Sequence, residues 1–160
     1  MVEGAGDNES SRPDVDLVTL PPGQAIGRYR VVDVLGQGGF GITYRAIDAE
    51  LGRHVAIKEY LPTALAVRQD GVTVVPRSQG AAADLAWGLD RFVTEGRTLA
   101  ALHRAPGIVK VHDYLQANGT AYLVMELVDG ETLLDLINRR GPLDAAAIDR
   151  ILTPLLDGLE

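Results

Sequence analysis

Four glycines within six residues, Gly36-Gln37-Gly38-Gly39-Phe40-Gly41, stand one strand upstream of Val55-Ala56-Ile57-Lys58. These are groups that can hold phosphate. Glycine backbone lets N–H donors come close to a ligand, and a lysine is a compact cation on a flexible stem, suited to the oxygens of a buried triphosphate. The G-x-G-x-x-G spacing is shared with dinucleotide-binding βαβ units, in which the glycines lead straight into a helix. Here the flanking segments, Tyr29 to Leu35 and Ile42 to Ile47, are β-branched and aromatic, which places the glycines at the tip of a β-hairpin. Of the 15 Lys and Arg residues only Lys58 and Lys110 are lysines. An isolated strand-end lysine ordinarily snorkels to solvent, but the order loop, strand, Val-Ala-Ile-Lys favours the phosphate role for Lys58.

The elements that must position these groups follow from periodicity and punctuation. Residues 1–24, rich in Gly, Ser, Asp and Pro and ending at Pro21-Pro22-Gly23, read as a mobile acidic leader. Strands are expected at about 28–35, 42–49 and 54–60 as an antiparallel meander, closed by Leu61-Pro62. An insertion over about 61–81 contains a small hairpin, 67–75, turning on Asp70-Gly71. A helix over about 82–103 and strands at about 108–116 and 120–128, joined at Asn118-Gly119, complete an α+β fold with a five-stranded antiparallel sheet and one major helix. On that helix Glu95 shares a face with Phe92, Leu99 and Leu102, which turns its carboxylate inward, where it needs a partner. Lys58 is the natural one, and an i, i+4 contact with Arg91 is the alternative.

Composition narrows the function classes. With 160 residues, 46% of them hydrophobic, the chain can bury one moderate core. The absence of cysteine excludes disulfides, thiol nucleophiles and Cys-based zinc sites and fits a cytoplasmic setting. No apolar run approaches the roughly 18 residues of a membrane span, and Met1 to Asp7 lacks the basic and apolar regions of a signal peptide. A net charge of −7 argues against nucleic acid as partner.

From about Tyr29 to Glu160 the sequence resembles the amino-terminal part of a protein kinase domain of the bacterial serine/threonine type. The resemblance rests on the glycine loop (Gly36, Gly38, Gly41), Val55 to Lys58, Glu95, and the hinge-like run Leu123-Val124-Met125-Glu126-Leu127-Val128-Asp129-Gly130. It implies a small lobe over 25–128, followed over 129–160 by the hinge exit and first helices of an incomplete large lobe. It also implies roles. Loop amides of Gly36, Gln37, Gly38, Gly39, Phe40 and Gly41 would close over the phosphates of ATP, with Phe40 shielding them, while Lys58 would meet the α- and β-phosphates and Glu95 would fix Lys58. Leu35, Thr43 and Ala56 would roof the adenine, with Thr43 standing where the family usually has valine. Met125 would be the gatekeeper, and Glu126 and Val128 would bond the adenine edge through their backbone. Taken on their own, these hinge residues read more readily as the alternation of a buried strand, Tyr122, Val124, Glu126 and Val128 against Leu123, Met125 and Leu127.

The resemblance stops short of a complete active site. No H-R-D loop and no D-F-G triplet occurs in the sequence, so a base and magnesium ligands are absent and the chain alone is expected to be inactive. ATP is thus the expected ligand, with Mg2+ and protein substrates engaged only by a full-length form. Asp144 can cap a helix whose Ile148, Ile151, Leu152, Leu155, Leu156 and Leu159 form an apolar stripe, with Pro154 expected to kink or break it. Exposing six such side chains sacrifices on the order of 10 kcal/mol, which points to a covering element elsewhere or to association through 148–159. Two other functions fit the same residues: a nucleotide-binding, pseudokinase-like regulatory module that docks a partner, and a small-molecule phosphotransferase of the kinase-like superfamily.

Overall fold

The computed structural model describes residues 18–102 and 107–157. Its main sheet is antiparallel and six-stranded, in the order β1 (Ala25–Ile26), β2 (Tyr29–Gly38), β3 (Gly41–Asp48), β4 (Arg53–Tyr60), β8 (Thr120–Glu126) and β7 (Val111–Ala117). The sixth strand beyond the expected five is the two-residue β1, which pairs Ala25 with Arg30 and Ile26 with Tyr29. So short a segment carries no periodicity of its own. β5 (Ala66–Gln69) and β6 (Thr73–Pro76) form the separate hairpin expected in the insertion, and its turn is set by Asp70 and Gly71, both at positive φ. The Asp70 carboxylate accepts from the N–H groups of Val72 and Thr73, which closes the turn.

β4 is the central beam because its alternation sends side chains to two different cores. Val55, Ile57 and Glu59 point to the larger core with Ile42, Tyr44, Ala46, Tyr122 and Val124. Ala56, Lys58 and Tyr60 point the other way, toward α1 (Ala81–Ala101), where Tyr60, Phe92, Ala121 and Leu123 form a smaller core. The helix seats closely because Gly88 leaves room for the Tyr60 hydroxyl, and a Cβ on Gly96 would stand 2.8 Å from Leu123 Cδ1. Tyr60 and Phe92 pack between these two glycines, ring centroids 5.6 Å apart.

The larger core is roofed by the β5–β6 hairpin, through Ala66 and Val74, and by Leu20, 1% exposed. This corrects the expectation of a mobile leader for its last residues: Leu20 is buried, and Gly23 and Val31 bond through their backbones. Residues 1–17 of that expected leader lie outside the described residues. Beneath the roof sits a buried polar cluster. Glu59, fully buried, accepts from Tyr44 Oη at 2.7 Å, Tyr122 Oη at 3.0 Å and Arg68 Nη2 at 2.6 Å.

After β8 come α2 (Leu133–Arg140) and α3 (Ala145–Asp157). Thr132 and Asp135 form a capping box for α2, and the Asp144 carboxylate accepts the Ala147 N–H at the start of α3. Helix α3 runs through Pro154 as one element rather than breaking there. Its stripe residues Ile148, Leu152, Leu155 and Leu156 are exposed, whereas Leu159 lies outside the described residues.

Burial pushes the hydroxyls of Tyr44 and Tyr122 well above the usual phenol range, and the charge of Glu59 pushes the same way. Burial and the hydrogen bond to Asp113 push Tyr29 up to about 12. The unfolded chain releases these protons near pH 10, so their contribution to stability is complete below that pH and is lost as pH rises above it. The urea midpoint should therefore be flat approaching pH 10 and fall beyond it, with the phenolate absorbance of these three tyrosines appearing only as the protein unfolds. Full phenolate absorbance from them in folded protein near pH 10.5 would refute this.

Candidate phosphate-binding site

The register of the sheet sets the site. Gly36 pairs with Thr43, Thr43 with Lys58 and Lys58 with Leu123, so a loop glycine, Thr43 and the lysine stand in one row across four strands. Two rows further on, and so on the same face, Asp33, Arg45, Ala56 and Met125 are in register. Gly38 pairs with Gly41 around a two-residue turn, Gly39-Phe40, and Phe40 projects to solvent at 82% exposure.

The glycines of this turn have different reasons to be there. None of Gly36, Gly38, Gly39 and Gly41 has a positive φ, so turn geometry does not demand glycine at these positions. A Cβ on Gly41 would overlap the Glu59 carbonyl oxygen of the neighbouring strand, which makes Gly41 a packing requirement. At Gly36, Gly38 and Gly39 an added Cβ meets nothing within 4 Å. Their vacant side is free for a ligand's oxygens to approach the backbone.

Lys58 Nζ lies 3.5 Å from Glu95 Oε1 and 5.8 Å from the Phe92 ring centroid. The pair forms at the rim and not inside: the side chains are 38% and 57% exposed, and the positions α1 buries are Phe92 and Gly96. Glu95 therefore stands at the edge of the apolar stripe, where the sequence had suggested an inward carboxylate. Arg91, the alternative partner, instead stacks on the exposed Trp87, 5.1 Å from its ring centroid. A partly exposed pair at this distance is worth at most about 1 kcal/mol, so Lys58 remains available to an anion.

The other expected residues fall around the same face. Leu35 is exposed, Thr43 half-buried and Ala56 buried. Met125 is half-buried beside Ala56 in register, and Val128 is 70% exposed past the end of β8. Gln37 pairs with Ile42 on the loop's rising limb. Glu126 is tied at the strand end, its N–H donating to Lys110 O and its carboxylate accepting the Lys110 N–H, each at 2.9 Å. A cavity of about 520 Å³ opens between Phe40 and α1, with Lys58, Tyr60, Trp87, Phe92 and Glu95 among its walls. It lies on the side of Phe40 and Lys58, and Leu35, Ala56, Met125 and Val128 are not among its walls.

The glycine backbone, the lysine and the small Ala56 fit a nucleotide triphosphate. A metal ion is less well served, since no group of three or more His, Cys, Asp or Glu gathers among the described residues. His112 and Asp113 lie in β7, where Asp113 accepts the Tyr29 hydroxyl at 2.9 Å and pairs with Arg28 at 3.6 Å, a structural assignment. Sequence reasoning missed the cluster around Glu59 and Arg68, although Glu59 continues the inward alternation of Val55 and Ile57.

An antiparallel sheet that bears a glycine hairpin, a facing lysine and a helix-borne glutamate defines a kinase-like α+β class. Residues 29–160 match the family model of the protein kinase domain. The chain is 41% identical over 122 residues to the serine/threonine-protein kinase PknA of Mycobacterium tuberculosis, covering 73% of this chain and 24% of PknA. It is 35% identical over 133 residues to the serine/threonine-protein kinase pkn2 of Myxococcus xanthus, covering 83% and 14%. Among solved structures, PpkA-294 in its apo form matches with a TM-score of 0.78 at 37% identity, covering 83% of this chain and 47% of that one. The PknI kinase domain of Mycobacterium tuberculosis, at 22% identity and a TM-score of 0.64 over 88% of this chain and 49% of that one, shares the fold. The chain belongs to the protein kinase family, and it spans only a fraction of the length of these relatives.

The two kinds of glycine separate in a substitution test. Gly41→Ala should cost about 3 kcal/mol through overpacking against β4, whereas Gly39→Ala should stay within about 0.5 kcal/mol, both read from urea denaturation. Equal losses at the two positions would contradict the assignment.

Proposed function

We propose that this chain is the ATP-binding part of a serine/threonine protein kinase, whose full-length form transfers the γ-phosphoryl group of ATP to protein hydroxyls. The observation that carries this reading is the half-exposed Lys58–Glu95 pair at 3.5 Å, in one row with the glycine hairpin. The amides of Gly36 to Gly41 donate to the phosphates under the cover of Phe40. Lys58 neutralises the α- and β-phosphates, and Glu95 is a positioning residue that limits where the ammonium can go. Leu35, Thr43 and Ala56 roof the adenine, Met125 stands as gatekeeper, and Glu126 and Val128 offer backbone groups to its edge. Magnesium supplies charge neutralisation at the phosphates in such kinases. The base and the metal ligands lie outside residues 1–160, so the unit supported here is a small lobe over about 25–128 with the start of a larger lobe. Membership of the protein kinase family favours this over a small-molecule phosphotransferase. The docking-module reading keeps one observation, the exposed stripe of α3. No helix among the described residues is long and apolar enough to cross a membrane.

Titration of residues 1–160 with a fluorescent ATP analogue should show saturable binding that weakens at least about tenfold in Lys58→Met, equivalent to about 1.4 kcal/mol. The same protein should transfer no phosphate to a generic protein substrate. Absence of binding would remove the nucleotide assignment, and transfer abolished by Lys58→Ala would show that the chain is a complete catalyst.

A further inference from the structure

The cluster beneath the insertion hairpin binds five separate segments through one carboxylate. Glu59 of β4 receives Tyr44 from β3, Tyr122 from β8 and Arg68 from β5. Arg68, with its side chain fully buried, donates further from Nε to Val18 O at 2.8 Å and from Nη1 to Val72 O at 2.7 Å. The Tyr44 hydroxyl accepts the Leu20 N–H at 3.1 Å. Such a cluster is a poor device for stability alone, because a buried ion pair is often matched or exceeded by apolar side chains of equal volume. What directional bonds from a rigid guanidinium fork provide is placement.

The position of Glu59 shows what is placed. It is the residue after Lys58, on the opposite face of the same strand. Its carbonyl oxygen occupies the space that a Cβ on Gly41 would need, and two residues on, the Leu61 N–H donates to Phe40 O at 3.1 Å. The returning limb of the glycine hairpin is thus seated on the backbone of Glu59 to Leu61. The Tyr60 carbonyl between them accepts the Thr120 hydroxyl, which fixes this stretch to β8. On its own face, among the described residues, the Lys58 ammonium is held by a 3.5 Å contact with Glu95 and its place over the Phe92 ring.

We propose that Glu59 and Arg68 are positioning residues for the phosphate grip: the buried pair, with the insertion hairpin and residues 18–20 bonded to it, holds β4 and the glycine hairpin in the relative placement that lets Lys58 and the loop amides act on one ligand. This rests on the reading of the site as a nucleotide-phosphate site. It gives the β5–β6 hairpin and the segment before β1 a role at a cavity they do not line.

The test compares ATP with adenosine, which lacks the phosphates, on the 160-residue chain. In Glu59→Gln/Arg68→Met the charges leave together and volume is nearly kept, while the tyrosine hydroxyls retain an amide oxygen to bond. Adenosine affinity should stay within about twofold, whereas the preference for ATP over adenosine should fall about tenfold. Hydrogen exchange at the Leu61 amide, measured without nucleotide, should accelerate about tenfold as its bond to Phe40 loosens. Tyr122→Phe, which removes the hydroxyl's bonds to Glu59 and from Asn118 but no charge, should move both readouts in the same direction by a smaller factor of about three. An unchanged ATP preference with wild-type exchange at Leu61 in whichever variant folds would overturn the proposal, even if thermal stability dropped. Failure of the wild-type chain to bind either ligand would overturn the nucleotide reading, and Leu61 exchange would still report whether the pair holds the hairpin.

Discussion

The two-residue repeat of β4 constrains the rest of the molecule. Consecutive residues must face opposite ways, so one strand cannot present a cation to a ligand without presenting its neighbours to the other side. Here Lys58 goes to the half-open side and Glu59 to a fully buried one. An unpaired buried carboxylate would be severely unfavourable. The sequence therefore needs a cation and donors on the far face, and Arg68, Tyr44 and Tyr122 are those groups. The insertion hairpin roofs the core and also completes the electrostatics of the strand that carries the lysine.

The two ion pairs of β4 work in different physical regimes. Glu59 and Arg68, with no exposed side-chain surface, are beyond the reach of solvent screening and are tied by directional bonds on every side. Lys58 and Glu95 are at the rim, held at 3.5 Å and partly wetted, and such a pair is weak and salt-sensitive. A rigid charge pair lies behind a labile one. Placement is thereby assigned to the buried side, and responsiveness to the exposed side.

Strong periodic signals were the legible ones. The meander of β2 to β4, the hairpin on Asp70-Gly71, the α1 helix and the pairing of β7 with β8 follow from alternation, turn chemistry and an apolar stripe. The proximity of Lys58 and Glu95 was also legible, because strand and helix phases point them to one space. What escaped notice came from tertiary context. Leu20 lies in a segment whose composition is that of a loop, and only the bare outer face of the sheet gives it a place to be buried. Glu95 looked inward by sequence phase, yet the close approach at Gly96 rotates the buried face of α1 toward Leu123 and leaves the glutamate at the edge. Arg68 reads as an ordinary strand arginine until β5 folds back over Glu59.

The seating of α1 also sets how motion would be transmitted. Phe92 is a knob between two notches, Gly88 and Gly96, four residues to either side, and as the one buried side chain of α1, with Leu85, Leu89, Val93 and Leu99 only partly buried along the same face, it is the natural fulcrum of the helix. At about 1.5 Å of rise per residue, Glu95 lies only about 4.5 Å along the axis from this fulcrum, while the Ala81 end lies about 16 Å away. Tilting the helix about Phe92 is therefore geared down: a push that swings the far end by about 3 Å moves Glu95 by less than about 1 Å. Only rolling or sliding the helix would carry the carboxylate away from Lys58, and that requires lifting Phe92 out of its seat against Tyr60.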